Sequence, residues 1–495
     1  MADPHGVFII YTGGTIGSLP RDRNDPSSPL EPALIDEVIR RIPNYETRDK
    51  KIFLGGKWIR LGTYSWPEPI DSSNIALQDW IDLVRVIKDN YEEYEGFVVL
   101  HGTDTLAYTA SALAFMLDNL NKPVIITGSQ LPIAQTRSDA VQNLVTSIEI
   151  AAASSLGGTV VPEVCVFFRD GLYRGCRTTK LSASSYNAFY SPNYPPLAEA
   201  GEHIKITGAM KPRESHHVLR IVDVLEPRIA SLDIFPGMSG ELLDSILNKT
   251  GLRGVVMQTF GTGNAPTTPE FLDTIARAVA NGTTIVDVTQ CRSGEVELGL
   301  YDVSAGLLTR GVVTGMDMTP EAALTKMLVV LGTESDPATA ADKLQLNMKG
   351  EQRQSIFNLH FHPGAIGDDE AMVIKILRPM VGGLDRYKPD VLDKALLRIM
   401  GITVPERRKA KIEFKVYIDL PDADENTSEE ANPHFLGKIA KTYELDRGEE
   451  SAFHLITTQA RSFVDNRHEN TLTLVNTGGT AFVWQRINIA FFANL

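Results

Sequence analysis

A glycine-rich string directly follows the first apolar run of the chain. The run Val7 to Tyr11 leads into Thr12-Gly13-Gly14-Thr15-Ile16-Gly17. Paired glycines let a backbone turn sharply and approach a ligand closely, so Thr15 would expose its hydroxyl at a strand end, in the position of a nucleophile. A phosphate loop or a plain turn has the same composition, and this string alone does not decide among them. The tetrapeptide T-G-G-T also recurs at 477–480, where a hairpin turn accounts for it.

A second string with chemical potential is His101-Gly102-Thr103-Asp104-Thr105, which follows the apolar run Gly96 to Leu100. Thr and Asp are also good helix N-caps, and a helical pattern begins at Leu106, so capping accounts for one of these residues. Capping does not account for the whole string. Because parallel strands end at one edge of a sheet, two hydroxyl-bearing strand ends would lie together, as a two-group acyl-transfer site requires.

The elements that must position these strings alternate along the first 170 residues. Continuous apolar runs, typical of strands buried on both faces, alternate with segments of helical periodicity. The predicted strands are Val7 to Tyr11, Gly96 to Leu100, Pro123 to Thr127 and Val164 to Phe168, and the predicted helices are Ala76 to Asn90, Leu106 to Leu117 and Arg137 to Ala153. This order predicts an α/β domain with a parallel sheet covered by helices on both faces.

A smaller α/β pattern follows a stretch rich in Pro and Gly, Ser191 to Arg213, which is predicted to be a connection. The strands of this second pattern are predicted at Gly254 to Gln258 and Thr284 to Thr289, and its helices at Thr268 to Asn281 and Thr319 to Leu331. The predicted domains span residues 1–200, 215–350 and 355–495.

The third predicted domain has a different sequence pattern, in which short strand-like segments are separated by polar turns. They are Ile356 to Phe361, Ala371 to Leu377, Lys411 to Leu420, Ser451 to Thr458, Thr471 to Asn476 and Phe482 to Phe492. This pattern predicts an antiparallel β-sandwich. His360 and His362 would share one face of a strand, but without further ligands nearby we expect ordinary strand residues rather than a metal site.

Composition excludes several classes of function. The 495 residues, 43% hydrophobic and 22% charged, suffice for about two to four globular domains. A net charge of −14 disfavours nucleic acid as a partner, and no apolar run reaches the roughly 18 to 20 residues that cross a membrane. Three cysteines, Cys165, Cys176 and Cys291, cannot form a disulfide framework. With no signal-like N-terminus, they indicate reduced thiols and a cytoplasmic location.

Five strings together resemble the bacterial-type L-asparaginases. They are Y-T-G-G-T-I-G at 11–17, H-G-T-D-T at 101–105, T-G-S-Q at 127–130, R-G-C-R-T-T-K at 174–180 and S-P-N-Y-P-P-L at 191–197. The resemblance covers about residues 5–350 and is nearest to the type I, cytoplasmic branch. It implies a large and a smaller α/β domain and hydrolysis of L-asparagine to L-aspartate and ammonia, with no metal or organic cofactor. It also implies a homodimer or homotetramer in which a neighbouring subunit completes each active site.

The resemblance assigns roles to four residues. Thr15 would be the nucleophile that forms an acyl-enzyme ester, and Thr103, Asp104 and Lys180 would form the second catalytic set. A threonine hydroxyl needs a base, and a lysine acts as a base only where burial or nearby cations lower its pKa, so we expect Lys180 to be buried beside Thr103 rather than on the surface. Asp104 would orient this pair and accept the substrate's α-ammonium group. Backbone N–H groups of the glycine-rich turns would stabilise the oxyanion.

Substrate binding would involve a further segment, Asp71-Ser72-Ser73. It resembles the family segment that holds the α-carboxylate and α-ammonium groups of the substrate. Ser72 and Ser73 have an alternative role as N-cap residues of the helix predicted from Ala76, and the sequence weighs the two roles about equally.

Two departures from the family pattern bear on function. The loop after Gly17, S-L-P-R-D-R-N-D-P-S-S-P-L-E-P, should act as a lid, yet it lacks the tyrosine with which many members assist the nucleophile. Some type I members have a second, allosteric asparagine site, and its arginine position matches Gln258 here, whereas Thr179 and Cys291 are retained. Glutamine does not replace a bidentate guanidinium, so we expect weak or absent activation by asparagine at this allosteric remnant.

The last third of the chain lies outside the asparaginase resemblance. K-I-E-F-K-V-Y-I-D-L-P at 411–421 and N-P-H-F-L-G at 432–437 resemble the β-sandwich domain that ends plant polyphenol oxidases, whose copper site has no counterpart here. The role of this extension stays open.

Other functions remain open at this point. A related amidohydrolase could prefer glutamine, D-asparagine or the amide of a misacylated tRNA; the acidic charge and the absence of a domain ahead of the first strand disfavour the tRNA substrate. A catalytically silent scaffold, whose β-sandwich binds a partner, is the alternative outside enzymes. Intact T-G-G-T, G-T-D-T and T-T-K strings argue against it, because a scaffold has no physical need of them.

Overall fold

Strands and helices alternate along the first part of the chain, as the apolar periodicity predicts. The computed structural model describes residues 6–22, 24–25, 27–208, 210, 218–298, 302–353, 355–361, 364–367, 370–377, 392–402, 408–429, 432–445, 451–457, 469–478, 481–484 and 486–493. The strands of the first part are β1 (Val7–Gly13), β2 (Ser18–Pro20), β3 (Leu30–Pro32), β4 (Tyr45–Glu46), β5 (Lys51–Leu54), β6 (Lys57–Ile70), β7 (Gly96–Leu100), β8 (Leu117–Asp118), β9 (Val124–Thr127), β10 (Val164–Phe168), β11 (Gly171–Arg174), β12 (Thr179–Lys180), β13 (Phe189–Tyr190), β14 (Ala198–Ala200), β15 (Ile204–Ile206) and β16 (Arg220–Ile221). The helices are α1 (Ile35–Ile39), α2 (Leu77–Asp89), α3 (Leu106–Met116), α4 (Ala140–Ala151) and α5 (Ala153–Leu156).

Ten of the described strands form one large sheet, in the order β15-β14-β11-β10-β9-β7-β1-β6-β5-β4. The central strands β10, β9, β7, β1 and β6 are parallel, and the strands at both edges pair antiparallel. One face buries its apolar side chains under α2 and α3, and the other under α1 and α4. The predicted α/β sheet with helices on both faces is therefore confirmed, with antiparallel edges that the apolar runs did not indicate.

The stretch from Ser191 to Arg213 is more than the predicted connection. Two of its segments, β14 and β15, extend the large sheet as an antiparallel edge, and residues 211–213 lie outside the described residues. Short edge strands tolerate the prolines and glycines between them, and this composition favoured the interpretation as a loop.

A small parallel sheet forms the second part of the chain. Its strands are β17 (Ile229–Asp233), β18 (Gly254–Thr259), β19 (Thr284–Thr289) and β20 (Val313–Thr314), paired in that order. Its helices are α6 (Gly240–Leu247), α7 (Pro269–Ala280), α8 (Asp302–Thr309), α9 (Pro320–Thr333) and α10 (Pro337–Gln345). Helix α9 also packs against α3, so the two sheets share an apolar layer. Within the described ranges, no helix has both the length and the apolarity needed to span a membrane.

The C-terminal part is all β. Its strands are β21 (Ser355–Phe361), β22 (Gly364–Ile366), β23 (Ala371–Leu377), β24 (Leu392–Ile402), β25 (Arg408–Ile418), β26 (Phe435–Leu445), β27 (Ser451–Thr457), β28 (Glu469–Asn476), β29 (Phe482–Trp484) and β30 (Arg486–Ala493). Two antiparallel sheets, β21-β30-β24-β27 and β23-β28-β25-β26, bury side chains from both, as in the predicted sandwich. Strands β24 and β26 were not predicted. Of the proposed histidine pair, His362 lies outside the described residues, as do 479 and 480 of the second T-G-G-T.

Candidate active site

The glycine-rich string turns the chain sharply at the end of β1. Gly13 and Gly14 have φ of 133° and 89°, in the region that favours glycine. A Cβ atom on Gly14 would lie 2.5 Å from the Cα atom of Gly102, so the turns after β1 and β7 touch backbone to backbone. Thr15 begins a 3₁₀ turn and is exposed. The two hydroxyl-bearing strand ends therefore lie together at one edge of the large sheet.

Lys180 reaches the same edge from β12. Its Nζ donates hydrogen bonds to Thr103 Oγ1 at 2.9 Å and to Asp104 Oδ1 at 2.8 Å. The Lys180 side chain is 19% exposed and that of Asp104 is 66% exposed. The expected contact between Lys180 and Thr103 is present, but the lysine is half-buried rather than fully buried.

A buried hydrogen-bond chain supports the turn that carries Thr103. Trp80 Nε1 donates to Thr109 Oγ1 at 2.9 Å, and this hydroxyl donates to His101 Nε2 at 2.9 Å. His101 Nδ1 is 2.7 Å from the carbonyl oxygen of Gly102. Because a carbonyl only accepts, Nδ1 carries a proton. Burial lowers the pKa of His101 to about 4, which keeps it neutral near pH 7.

Helix capping does not explain the H-G-T-D-T string. Thr105 is the N-cap residue of α3, but its side chain caps nothing there. Its hydroxyl instead donates to the carbonyl oxygen of Ser72 at 2.7 Å, which joins this turn to the segment Asp71-Ser72-Ser73.

The segment 71–73 lies against the same turn. A Cβ atom on Gly102 would lie 2.6 Å from Ser72 Oγ, and Ser72 is buried. Asp71 Oδ1 accepts hydrogen bonds from the backbone N–H and hydroxyl of Ser73 at 2.9 and 2.8 Å, which lowers the pKa of Asp71. The N-cap of α2 is Ala76, whose N–H donates to the Asp79 carboxylate at 2.7 Å. The alternative role of Ser72 and Ser73 as caps of α2 is therefore wrong.

Asn143 is a supporting residue that the sequence reasoning did not identify. Its amide group donates to the carbonyl oxygen of Gly128 at 2.9 Å and accepts from the N–H of Arg169 at 2.8 Å. A Cβ atom on Gly128 would lie 3.5 Å from the Thr103 side chain, so Asn143 fixes a wall beside Thr103. The signal available was an asparagine within the apolar periodicity of the predicted helix from Arg137.

A tyrosine lies beneath the turn that carries Thr15, although none is in the loop that follows Gly17. The loop forms the hairpin of β2 and β3, which begins directly after Gly17. A Cβ atom on Gly17 would lie 2.4 Å from Tyr11 Oη, and this fully buried hydroxyl has no hydrogen-bond partner among the described residues. Burial raises the pKa of Tyr11. As part of a continuous apolar run, Tyr11 looked like an ordinary strand residue.

Two of the three residues of the expected allosteric remnant, Thr179 and Gln258, have separate partners. Thr179 Oγ1 donates to Glu321 Oε1 at 2.6 Å, and Gln258 Nε2 donates to Ser231 Oγ at 3.3 Å. Cys291 is an exposed free thiol. No group of three or more His, Cys, Asp or Glu side chains in the described part of the chain could hold a metal ion.

Comparisons with known proteins identify similar chains. Residues 6–212 match the family model "Asparaginase, N-terminal", and residues 228–343 match "Glutaminase/Asparaginase C-terminal domain". L-asparaginase 1 of Escherichia coli K12 is 37% identical over 345 residues, which are 70% of this chain and 97% of that protein. The 60 kDa lysophospholipase of Mus musculus is 39% identical over 301 residues, covering 60% of this chain and 52% of that protein. The crystal structure of L-asparaginase I from Vibrio cholerae matches with a TM-score of 0.62 at 36% identity, over 70% of this chain and 99% of that one.

Proposed function

The chain belongs to the asparaginase family and is an amidohydrolase; from that premise we propose that it hydrolyses L-asparagine to L-aspartate and ammonia through an acyl-enzyme on Thr15. The observation that carries this proposal is the contact of Lys180 with both Thr103 and Asp104 beside the exposed Thr15 turn. It joins β12, which pairs with β13 outside the large sheet, to the turn that follows β7. Holding a lysine half-buried costs stability, because its ammonium group is partly desolvated. A catalytically silent scaffold would have no function to offset that cost.

The proposed reaction has two steps. Thr15 Oγ attacks the side-chain amide carbon, the C–O bond forms, and the C–N bond breaks as ammonia leaves with the hydroxyl proton. Water then adds to the ester carbon, and the bond to Thr15 breaks to release aspartate. In its neutral form Lys180 accepts the proton of Thr103, so that the Thr103 oxygen in turn accepts the proton of the attacking group.

Substrate orientation is assigned to the two segments that meet at Gly102. Asp104, whose carboxylate is 66% exposed, remains accessible to an α-ammonium group. Asp71, Ser72 and Ser73 lie against the same turn and are assigned to the α-carboxylate and α-ammonium groups. Backbone N–H groups at the turn after β1 are assigned to the oxyanion, because glycine leaves them accessible to a ligand.

The site is open on the side of Thr15 and Asp104. This openness supports the proposal that a neighbouring copy completes it, in a homodimer or homotetramer. The separate partners of Thr179 and Gln258 support the proposal of weak or absent activation by asparagine at the remnant. A clearly sigmoidal rate curve, abolished by substitution of Thr179, would contradict that second proposal.

Ammonia release from L-asparagine, L-glutamine and D-asparagine tests the function directly. We expect the largest kcat/KM for L-asparagine. A larger value for either other amide would keep the mechanism and change the substrate, and no release from all three would indicate the scaffold. Sizing of the same preparation tests the oligomer.

A further inference from the structure

The segment that carries Lys180 is fastened to the small-sheet part of the molecule as well as to the large sheet. Arg177 Nη1 donates to Asp317 Oδ2 at 2.7 Å, and the two side chains are 4% and 6% exposed. Arg177 Nε also donates to the carbonyl oxygen of Gly350 at 2.7 Å. A buried ion pair with a further hydrogen bond to the backbone holds a fixed geometry, so Arg177 anchors the turn before β12.

Two residues after Arg177, a second contact joins this segment to the small-sheet part of the molecule. Thr179 Oγ1 donates to Glu321 Oε1 at 2.6 Å. Glu321 is 8% exposed, and its other carboxyl oxygen has no partner among the described residues. Burial raises the pKa of Glu321 and so favours its neutral form. This buried carboxyl group is therefore bonded to Thr179, the neighbour of the proposed catalytic lysine.

Helix α9 supplies the fixed point for this contact. Glu321 is in its first turn, next to the N-cap Thr319, whose hydroxyl accepts the N–H of Ala322 at 3.2 Å. Helix α9 packs against α3, and the turn immediately before α3 carries Thr103 and Asp104. The segment that carries Lys180 thus contacts α9, the turn that carries Thr103 leads into α3, and these two helices pack against each other.

We propose that Glu321 is a positioning residue for Lys180 and acts through Thr179. Thr179 and Lys180 are consecutive in the short strand β12, so their side chains point to opposite faces. The bond from Thr179 to Glu321 sets the rotation of β12 and thereby aims Lys180 Nζ at Thr103. The inference rests on the proposed catalytic role of Lys180.

Paired variants test this inference in the full-length chain. Thr179→Val and Glu321→Ala remove the bond, whereas Thr179→Ser and Glu321→Gln keep a hydroxyl donor and an acceptor. Glu334→Gln, at the opposite end of α9 and paired with Lys343, is the control. For each, kcat and KM for L-asparagine, the pH profile of kcat/KM and thermal unfolding are measured.

A displacement of about 1 Å lowers a rate about 100-fold, so we expect kcat of Thr179→Val and Glu321→Ala to fall about 10- to 100-fold. KM should change by less than about threefold, and the pH profile of kcat/KM should change together with kcat. Thr179→Ser, Glu321→Gln and Glu334→Gln should remain within about threefold of the parent.

Three outcomes would overturn the inference while the parent is active. They are unchanged kcat and pH profiles in folded Thr179→Val and Glu321→Ala, a loss that only tracks the fraction of folded protein, and loss of a sigmoidal rate curve at constant kcat. A parent that releases ammonia from none of the three amides would instead overturn the proposed function, and this inference with it.

Discussion

The large and the small sheet each have a buried titratable side chain, and the two side chains differ in how completely they are hydrogen-bonded. In the large sheet, both ring nitrogens of His101 have partners, Thr109 and Gly102. In the small sheet, Asp287 of β19 accepts a hydrogen bond from Thr259 at 2.7 Å through one oxygen. Its other oxygen is buried and has no partner among the described residues.

This difference shows which of the two buried groups has its geometry fixed more completely by hydrogen bonds. A fully bonded polar network fixes one geometry, whereas a half-bonded one leaves a buried group uncompensated. The complete network underlies the turn that holds Thr103, and the incomplete one lies in the sheet that carries none of the proposed catalytic side chains. Both groups are neutral near pH 7, since burial lowers the pKa of His101 to about 4 and raises that of Asp287 to about 8.

Removal of a hydroxyl at the edge of the large sheet should have the largest effect. We expect Thr15→Ala or Thr103→Ala to lower kcat by roughly 1,000-fold or more, because each removes a group that takes part in the bond changes. Thr314→Ala, at the end of β20 in the small sheet, should keep activity per folded molecule within about threefold, because its hydroxyl donates to the carbonyl oxygen of Val296. Ammonia release, with circular dichroism to check the fold, measures both. Near-normal activity of either catalytic variant would contradict the mechanism.

Asp287→Asn should change the pH dependence of stability next most. Burial raises the pKa of Asp287 from 3.8 to about 8, so between these values the folded state holds a proton that the unfolded chain has lost. Stability therefore falls as pH rises through this window, by several kcal/mol at about 1.4 kcal/mol per pH unit. Asparagine does not titrate, so the variant should gain stability relative to the parent between pH 5 and 8. Urea unfolding at both pH values measures this, and a constant difference would contradict it.

The opposite dependence is expected for His101. Burial lowers its pKa from 6.5 to about 4, so in this window the unfolded chain binds a proton that the folded state does not. Stability falls as pH drops through the window, by on the order of 3 kcal/mol in total. The stability of the parent relative to His101→Asn should decrease by that amount between pH 7 and 4. Equal pH slopes in urea unfolding would show that His101 does not make this contribution.

Removal of the C-terminal β region should have the smallest effect on activity, because neither the large nor the small sheet includes a strand of that region. A cut after Arg353 keeps the ion pair of Lys326 and Glu351, 2.7 Å apart with both side chains 0% exposed. We expect its kcat/KM to stay within about threefold of the full chain, since every residue proposed to react, to bind substrate or to position Lys180 is retained.

The matched control for this truncation is a cut after Lys349. It removes Glu351 and leaves Lys326 buried without its carboxylate, a change that typically costs about 3 to 5 kcal/mol. Ammonia release and thermal unfolding of the two truncated chains compare them. Loss of activity after the cut at Arg353 alone, with an unchanged unfolding temperature, would assign a catalytic role to the β region.

Sequence patterns predicted the parts of the fold in which one physical signal dominates. Strands such as β7 and β10 are buried on both faces and consist of unbroken apolar residues. Strand β6, of 14 residues, mixes exposed, partly buried and buried positions without a regular period and includes two prolines, so it gave no such signal. The edge strands β14 and β15 depend on pairing with distant segments, which local composition does not reveal.

The same limit applies to the site. Motifs indicated Thr15, Thr103, Asp104 and Lys180, because these residues stand beside glycines or within specific strings. The supporting residues Asn143 and Glu321 are defined by partners elsewhere in the chain, such as Thr179, which lies 142 residues from Glu321. His101 stands within a motif, but its supporting role follows from its buried hydrogen bonds, which the motif does not show. Asp287 did leave a local sign, an acid between two valines of an otherwise apolar strand.

The anchoring of Arg177 also dictates when the site can be completed during synthesis. Its partners Asp317 and Gly350 lie 140 and 173 residues later in the chain. At about 5 to 20 residues per second, a ribosome needs roughly 10 to 35 seconds to make that stretch. Until then the strand ends of the large sheet can pair, but the segment bearing Lys180 lacks its attachment to the small-sheet part of the molecule. The large sheet of the nascent chain can therefore form before the position of Lys180 is fixed. The proposed active site is complete only after the second sheet has been synthesised.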